Sequence, residues 1–225
     1  MKSLDIAVVG YGLIGKKHCN IIKKQKNIKL SGLVTINKNK IQIKRLGCDI
    51  FNSIPELLNK KKPDGAIIAS PTNLHLKHSL EFIKHDIPVL IEKPISHSSK
   101  GVKQLLKLAK KKSVPILVGH HRRYNQIIKS AKNILNEGQI GKIRSVNSLC
   151  WFYKPDQYFK ISPWRKNSGA GPILTNLIHD IDLLRFFCGE INSVQSLISR
   201  SKRGFKNEDT ASVILNFKSG ILGTM

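Results

Sequence analysis

The chain has 225 residues, 40% hydrophobic and 24% charged, which is enough to bury one large core or two smaller ones and excludes a disordered tail protein. Its 39 Lys and Arg against 14 Asp and Glu give a net charge of +25. The lysines are dispersed over nearly every predicted helix and turn, and Lys, Ile and Asn share A/T-rich codons, so base composition accounts for the excess and no nucleic-acid partner is expected.

The first residues lead directly into an apolar strand at 6–9, and no apolar run is long enough to cross a bilayer. A cytoplasmic protein without membrane contact is therefore expected. The strand is followed at once by Gly10-Tyr-Gly12-Leu13-Ile14-Gly15 and a helical pattern. In a dinucleotide fingerprint the first glycine permits a tight turn, the second lets backbone approach pyrophosphate, and the third lets helix pack closely on strand. The helix N-terminus then offers free N–H groups to phosphate.

A second strand at 29–35 ends on Thr35, where NAD-specific folds place an acidic residue that holds the adenosine ribose. Without that carboxylate nothing repels a ribose phosphate, and Asn37, Lys38 and Lys40 follow, so NAD and NADP are both expected cofactors. A strand at 66–69 runs into Ser70-Pro71-Thr72-Asn73-Leu74-His75, and one at 89–91 into Glu92-Lys93-Pro94. Both segments stand at carboxyl ends of strands, where open α/β sheets bind ligands. A lysine there can hydrogen-bond a substrate hydroxyl and stabilise developing negative charge. A lysine-rich amphipathic helix and a strand at 116–118 complete an α/β alternation, and residues 1–121 are read as a Rossmann-type domain.

Residues 122–225 follow a different rhythm. A helix at 124–137, stopped by Gly138, precedes a strand-like stretch at 143–152, a Pro/Ser/Gly-rich loop, a helix at 172–187, and strand-like runs at 191–199 and 211–217. Consecutive strands with few helices predict an α+β domain with an open antiparallel sheet. The last residues begin what reads as another strand, so this domain is expected to be incomplete. On the 172–187 helix, Thr175, Asn176, His179 and Asp182 are expected on one polar side, and His179 can accept a hydroxyl proton as hydride leaves the carbon. Thr175, Asn176 and Arg123 are candidate substrate contacts, Arg123 because guanidinium makes paired hydrogen bonds. Cys19, Cys48, Cys150 and Cys188 lack the short paired spacing of a metal or redox site, so free thiols and no metal are expected.

Taken together, the glycine loop, Ser70-Pro-Thr-Asn73, Glu92-Lys-Pro94, Gly119-His-His-Arg-Arg-Tyr124, Trp164-Arg165, and Gly169-Ala-Gly-Pro172 running to His179 and Asp182 resemble the glucose-fructose oxidoreductase and inositol dehydrogenase family, Gfo/Idh/MocA. The resemblance covers essentially the whole chain. It implies a Rossmann domain, a second domain whose sheet serves oligomer contacts, and hydride exchange between a nicotinamide dinucleotide and a polyol, sugar or related hydroxy or oxo compound. It places the catalytic Lys93 and His179 beside the nicotinamide, with the Pro71–Asn73 loop, Trp164 and Arg165 bordering the cofactor. Many family members carry Asp four residues before the histidine, where this chain has Thr175. That departure, with the incomplete sheet, keeps a second expectation in view: a dinucleotide-binding sensor or degenerate partner subunit without catalysis.

Overall fold

The computed structural model describes residues 3–36 and 45–225, so Asn37, Lys38 and Lys40 lie outside the described residues. The chain divides into two compact units, Met1–Gly119 and His120–Met225.

The first unit is a six-stranded parallel sheet: β1 (Leu4–Val9), β2 (Ile28–Val34), β3 (Asp49–Phe51), β4 (Gly65–Ile68), β5 (Val89–Ile91) and β6 (Ile116–Val118), in the order β3-β2-β1-β4-β5-β6. This is the doubly wound dinucleotide-binding order, in which the direction of winding reverses beside β1. Consecutive residues Ala7, Val8 and Val9 are all buried, as a sheet covered on both faces requires. Ala7 and Val9 enter one core with Phe82, Ile83 and Leu105, while Val8 enters the other with Cys19, Ile22 and Leu33. Helix α1 (Leu13–Lys23) therefore covers one face. Helices α2 (Ile54–Lys60), α3 (His75–Lys84) and α4 (Val102–Lys112) cover the other.

Local chemistry fixes where these helices begin. The Ser53 hydroxyl accepts the Glu56 N–H at 3.2 Å, and the Glu56 carboxylate returns to the Asn52 N–H at 2.8 Å, which secures α2. The three-residue β3 is too short to leave a periodic signal, and the sequence does not announce it.

In the second unit, α5 (Gln126–Asn136) starts two residues later than expected. The Asn125 side chain accepts the Ile127 N–H at 2.9 Å, and residues His121–Tyr124 form a separate 3₁₀ turn. Further on lie the short α6 (Asp156–Ile161) and, after a π turn at Ile173–Leu177, α7 (Ile178–Cys188). The sheet has four strands, β7 (Ser145–Asn147), β8 (Ile191–Arg200), β9 (Glu208–Phe217) and β10 (Leu222–Thr224), in the order β7-β10-β9-β8. Its long pairings are antiparallel, but β7 runs parallel to β10, so the sheet is mixed where a purely antiparallel one was expected. Leu215 and Phe217 of β9 pack against Leu184 and Cys188 of α7. The strand expected at 143–152 shrinks to three residues, because Trp151, Phe152 and Tyr153, aromatic by propensity, are exposed outside the ladder.

Among the described residues no helix is long and apolar enough to cross a membrane, and no cluster of His, Cys, Asp and Glu could hold a metal ion. Burial pushes the Cys19 thiol up to about 12 and the Cys48 thiol to about 11, so both pack as protonated thiols at neutral pH.

Phe82 is fully buried between the sheet and its helices. Phe82→Ala is expected to destabilise this unit by about 3–5 kcal/mol, read as a shifted urea midpoint. A midpoint unchanged in the variant would contradict the packing described.

Candidate functional site

In the first unit the site grows from one row of strand ends. Backbone bonds continue one residue beyond the strands: Gly10 N–H donates to Val34 at 2.8 Å, Ala69 N–H to Val9 at 2.8 Å, Glu92 N–H to Ile68 at 3.0 Å, and Gly119 N–H to Ile91 at 2.8 Å. The glycine loop, Ser70, Glu92 and Gly119 are thereby set side by side at the carboxyl edge.

The three glycines do different jobs. Gly10 has φ +99°, and a Cβ there would lie 2.5 Å from the Ala69 carbonyl oxygen. A Cβ at Gly15 would overlap the Gly10 carbonyl oxygen, so α1 can spring from β1 only with glycine at that position. Around Gly12 nothing lies within 4 Å of a Cβ: its neighbourhood is open, as an approaching ligand requires. No side chain caps α1 at Gly12 and no acidic residue occupies its first turn, which leaves the helix N–H groups suited to an anion. Leu13 and Ile14 are apolar yet exposed beside that opening. These residues fit a dinucleotide.

Thr35 follows β2, with its N–H bonded to the Phe51 carbonyl at 3.0 Å, and it is buried. Pro71 and Asn73 are exposed on a 3₁₀ turn, Thr72–Leu74, with Thr72 half-buried. His75, expected at the cofactor, is instead sealed beneath the loops at 2% exposure. Its Nδ1 lies 2.9 Å from the Pro94 carbonyl oxygen and its Nε2 2.8 Å from that of Ser70. His78 Nδ1 meets the Ser70 hydroxyl at 2.9 Å, and burial lowers the pKa of this imidazole.

Glu92 holds another surprise. Its carboxylate pairs at 2.7 Å with Nε2 of His18, a residue of α1 that the sequence reading passed over. Burial pushes the Glu92 carboxyl up, but the His18 hydrogen bond and charge, together with the backbone N–H and charge of Lys93, outweigh it and leave the pKa below the usual range. Glu92, a candidate cofactor contact, is thus also an acceptor that ties its strand end to α1. Lys93 is half-buried, between Glu92 and a cis-linked Pro94.

The second unit presents a chain of polar groups along α7. His179 and Asp182 are buried there, beside Leu184 and Cys188, while Thr175 and Asn176 are half-buried, so the one polar side expected of the four is split. The π turn is the reason: it shifts the phase between residues 175–176 and 179–182, so the four do not share one α-helical stripe. Two interactions hold the turn. The Thr175 hydroxyl donates to the Gly171 carbonyl at 2.8 Å, and the Glu208 carboxylate accepts the Ile173 N–H at 3.1 Å. Glu208 packs so tightly on Gly171 that a Cβ there would overlap its carboxylate.

The His179 ring stands edge-on to His121 with centroids 5.1 Å apart, and to His120 at 6.5 Å. His120 Nδ1 lies 3.8 Å from the Asp182 carboxylate. Arg123 grips Asp182 through Nε and an NH2, both at 2.7 Å, while Arg122 pairs with Asp180 at 2.8 Å. Arg123, a candidate substrate contact, thus commits Nε and an NH2 to Asp182, and the side chain orients the helix that bears His179.

Thr175 and Asn176 line a cavity of about 460 Å³, with Phe152, Tyr158 and Phe205 as aromatic walls and Lys154 at its edge. That volume suits a small organic ligand. Arg165 lies 3.7 Å from the centre of the Tyr158 ring and donates to the Tyr158 carbonyl, and neighbouring Trp164 is half-exposed. The structure thus groups Thr175 and Asn176 with an aromatic cavity, and His179 with residues of the 3₁₀ turn. His18 and Glu208 carry no mark in the sequence because their partners are distant in the chain, whereas His121 lies in the Gly119-His-His-Arg-Arg-Tyr124 segment, whose doubled histidine is the visible signal.

Strand order, glycine geometry and the uncapped helix define the first unit as a Rossmann dinucleotide-binding domain. A family model described as an oxidoreductase family with NAD-binding Rossmann fold matches residues 4–120, and a GFO/IDH/MocA C-terminal domain model matches residues 128–225. The chain belongs to the GFO/IDH/MocA oxidoreductase family. Among similar proteins, a 2,7-anhydro-N-acetylneuraminate hydratase of Mediterraneibacter gnavus is 24% identical over 93% of the chain and 57% of the relative. A myo-inositol 2-dehydrogenase of Thermotoga maritima is 28% identical over 99% of the chain and 67% of the relative. The WlbA dehydrogenase from Chromobacterium violaceum, solved with NADH and UDP-GlcNAcA, superposes with a TM-score of 0.93 at 26% identity, covering 100% of this chain and 67% of that one. The chain thus spans between 57% and 67% of the lengths of these relatives.

The glycine geometry separates folding from binding. Gly15→Ala is expected to cost about 1–3 kcal/mol of stability through its clash with Gly10. Gly12→Val should cost about 1 kcal/mol or less, since it only alters an uncapped helix start, yet strongly weaken dinucleotide binding. Calorimetry showing full affinity in a folded Gly12→Val protein would remove the glycine loop from the site.

Proposed function

We propose that the protein is an NAD(P)-dependent oxidoreductase that moves a hydride between nicotinamide and the CH–OH carbon of a sugar, polyol or related hydroxy or oxo compound. The observation that carries this reading is the open, uncapped glycine turn set in one row of strand ends with the segment that bears Lys93. Bound nicotinamide supplies the hydride acceptor or donor. Lys93 then donates a hydrogen bond to the reacting oxygen and stabilises the negative charge that develops on it. His179 takes the hydroxyl proton, so that an alcohol and oxidised cofactor become a carbonyl, reduced cofactor and one proton. Asp182, fixed by Arg123, helps hold the positive charge near this histidine cluster through His120.

The relatives support small sugar-like substrates, for their names specify an anhydro sugar acid, an inositol and a nucleotide-linked sugar. The cavity bearing Thr175 and Asn176 is our candidate for the substrate ring, with its aromatic walls offering apolar faces and its polar groups meeting hydroxyls. Trp164 and Arg165 are proposed cofactor neighbours. We also propose a cytoplasmic homo-oligomer, supported by the exposed apolar side chains Val194, Leu197, Ile198 and Ile214 on β8 and β9. One observation favours a second reading, a non-catalytic dinucleotide sensor: Thr175 directs its hydroxyl into helix backbone where many family members place a carboxylate.

Two measurements test this reading. His179→Ala is expected to lower turnover by roughly 10²–10⁴-fold while dinucleotide affinity persists. Absence of hydride transfer from the wild-type protein across sugars, inositols and sugar acids would select the sensor. For cofactor choice, Thr35 carries no charge against a ribose phosphate, so NADP should bind within about tenfold of NAD, roughly 1.4 kcal/mol. Stronger rejection of NADP would contradict that expectation.

A further inference from the structure

Lys93 lies between two residues that are each held by a histidine from a different helix. On its N-terminal side, Glu92 is fixed by Nε2 of His18 from α1 at 2.7 Å and also accepts Lys93's own backbone N–H. Gly119 closes over the same carboxylate: a Cβ there would lie 3.1 Å from both oxygens. On its C-terminal side, the Pro94 carbonyl meets Nδ1 of His75, whose other nitrogen meets the Ser70 carbonyl. The pairs are shielded, with side-chain exposures of 21% and 16% for His18 and Glu92, and His75 is buried.

We propose that His18 and His75 are positioning residues for Lys93, bracing it from the glycine-loop helix and from the Ser70 loop. The inference rests on the oxidoreductase reading only where turnover is measured. Glu92 is an ionised carboxylate removed in large part from water, and it needs donors. His18 supplies one from the far side and anchors the carboxylate against α1. The Lys93 charge already acts on this carboxylate, and without the competing hydrogen bond and charge of His18 that attraction would tighten and draw the ammonium from a substrate oxygen. His75 restrains the following peptide, so the backbone on both sides of Lys93 is tied to elements that also carry the glycine loop and Ser70. Binding and chemistry would then share one rigid frame.

The test reads Lys93 directly. Reductive methylation of the whole chain, followed by peptide mass spectrometry, gives the labelling rate of Lys93 relative to the other lysines. His18→Leu is expected to slow Lys93 labelling by about threefold or more relative to those lysines. It should also lower kcat by about 10- to 100-fold, with the KM for dinucleotide little changed. His18→Gln, which keeps a donor, should recover most of both. A merely structural role would lower the unfolding temperature and leave relative labelling of the folded protein unchanged, and that result overturns the proposal. Should His18→Leu fail to fold, Glu92→Gln removes the charge but keeps the shape. Labelling of Lys93 unaltered in that variant also overturns it. If the wild-type protein shows no hydride transfer, the oxidoreductase reading fails, while the labelling result still decides whether His18 positions Lys93.

Discussion

The first unit is organised around one backbone contact. The carbonyl oxygen of Gly10 occupies the place where any other residue at 15 would carry its Cβ. Because the approach is so close, α1 leaves β1 with almost no intervening loop, and its first N–H groups open at the strand ends. The same approach holds α1 low on the sheet, where Cys19 and Ile22 complete the core beneath Val8 and Leu33. His18, one turn beyond Gly15, then reaches Glu92 on a strand two places away in the sheet. The packing of α1, the open turn at Gly12 and the His18–Glu92 pair all descend from this contact between two glycines.

The second unit solves a different problem, how to keep charged groups against a helix without leaving them unpaired. Arg122 and Arg123 come from a 3₁₀ turn and meet Asp180 and Asp182 on α7. The Asp182 pair is the more shielded of the two on its acidic side, and its bidentate geometry fixes orientation as well as distance. Such pairs contribute modest net stability once desolvation is counted, so their value here lies in fixing the turn that brings His120 and His121 against His179.

Much of this was legible in the sequence. Alternating apolar runs gave five of the six strands of the first sheet, and the glycine spacing predicted a turn in which the geometry reproduces the roles of Gly10 and Gly15 and leaves Gly12 open. Lys93 and Ser70 were placed at strand ends from pattern alone. What stayed hidden depended on partners far along the chain. The pairing of Glu92 with His18, 74 residues earlier, carries no local mark in the sequence. The grip of Arg123 on Asp182, 59 residues away, is equally unmarked. Strand propensity overran at 143–152, since aromatic residues favour sheets and cavity walls alike. The π turn left no periodic trace either, for it depends on Glu208 reaching Ile173 across the fold.

That π turn has a consequence for how such a protein can diversify. In a continuous α-helix, residues 175, 176, 179 and 182 would turn together, and any change that re-aimed one would re-aim the rest. An extra residue within a single turn breaks that mechanical coupling. The positions facing the cavity, Thr175 and Asn176, are set by Gly171 and Glu208, whereas His179 and Asp182 are set by the 3₁₀ turn. One helix thus carries two independently anchored segments. Mutational drift at 175 or 176 can reshape the cavity wall while the imidazole of His179 keeps its bearing.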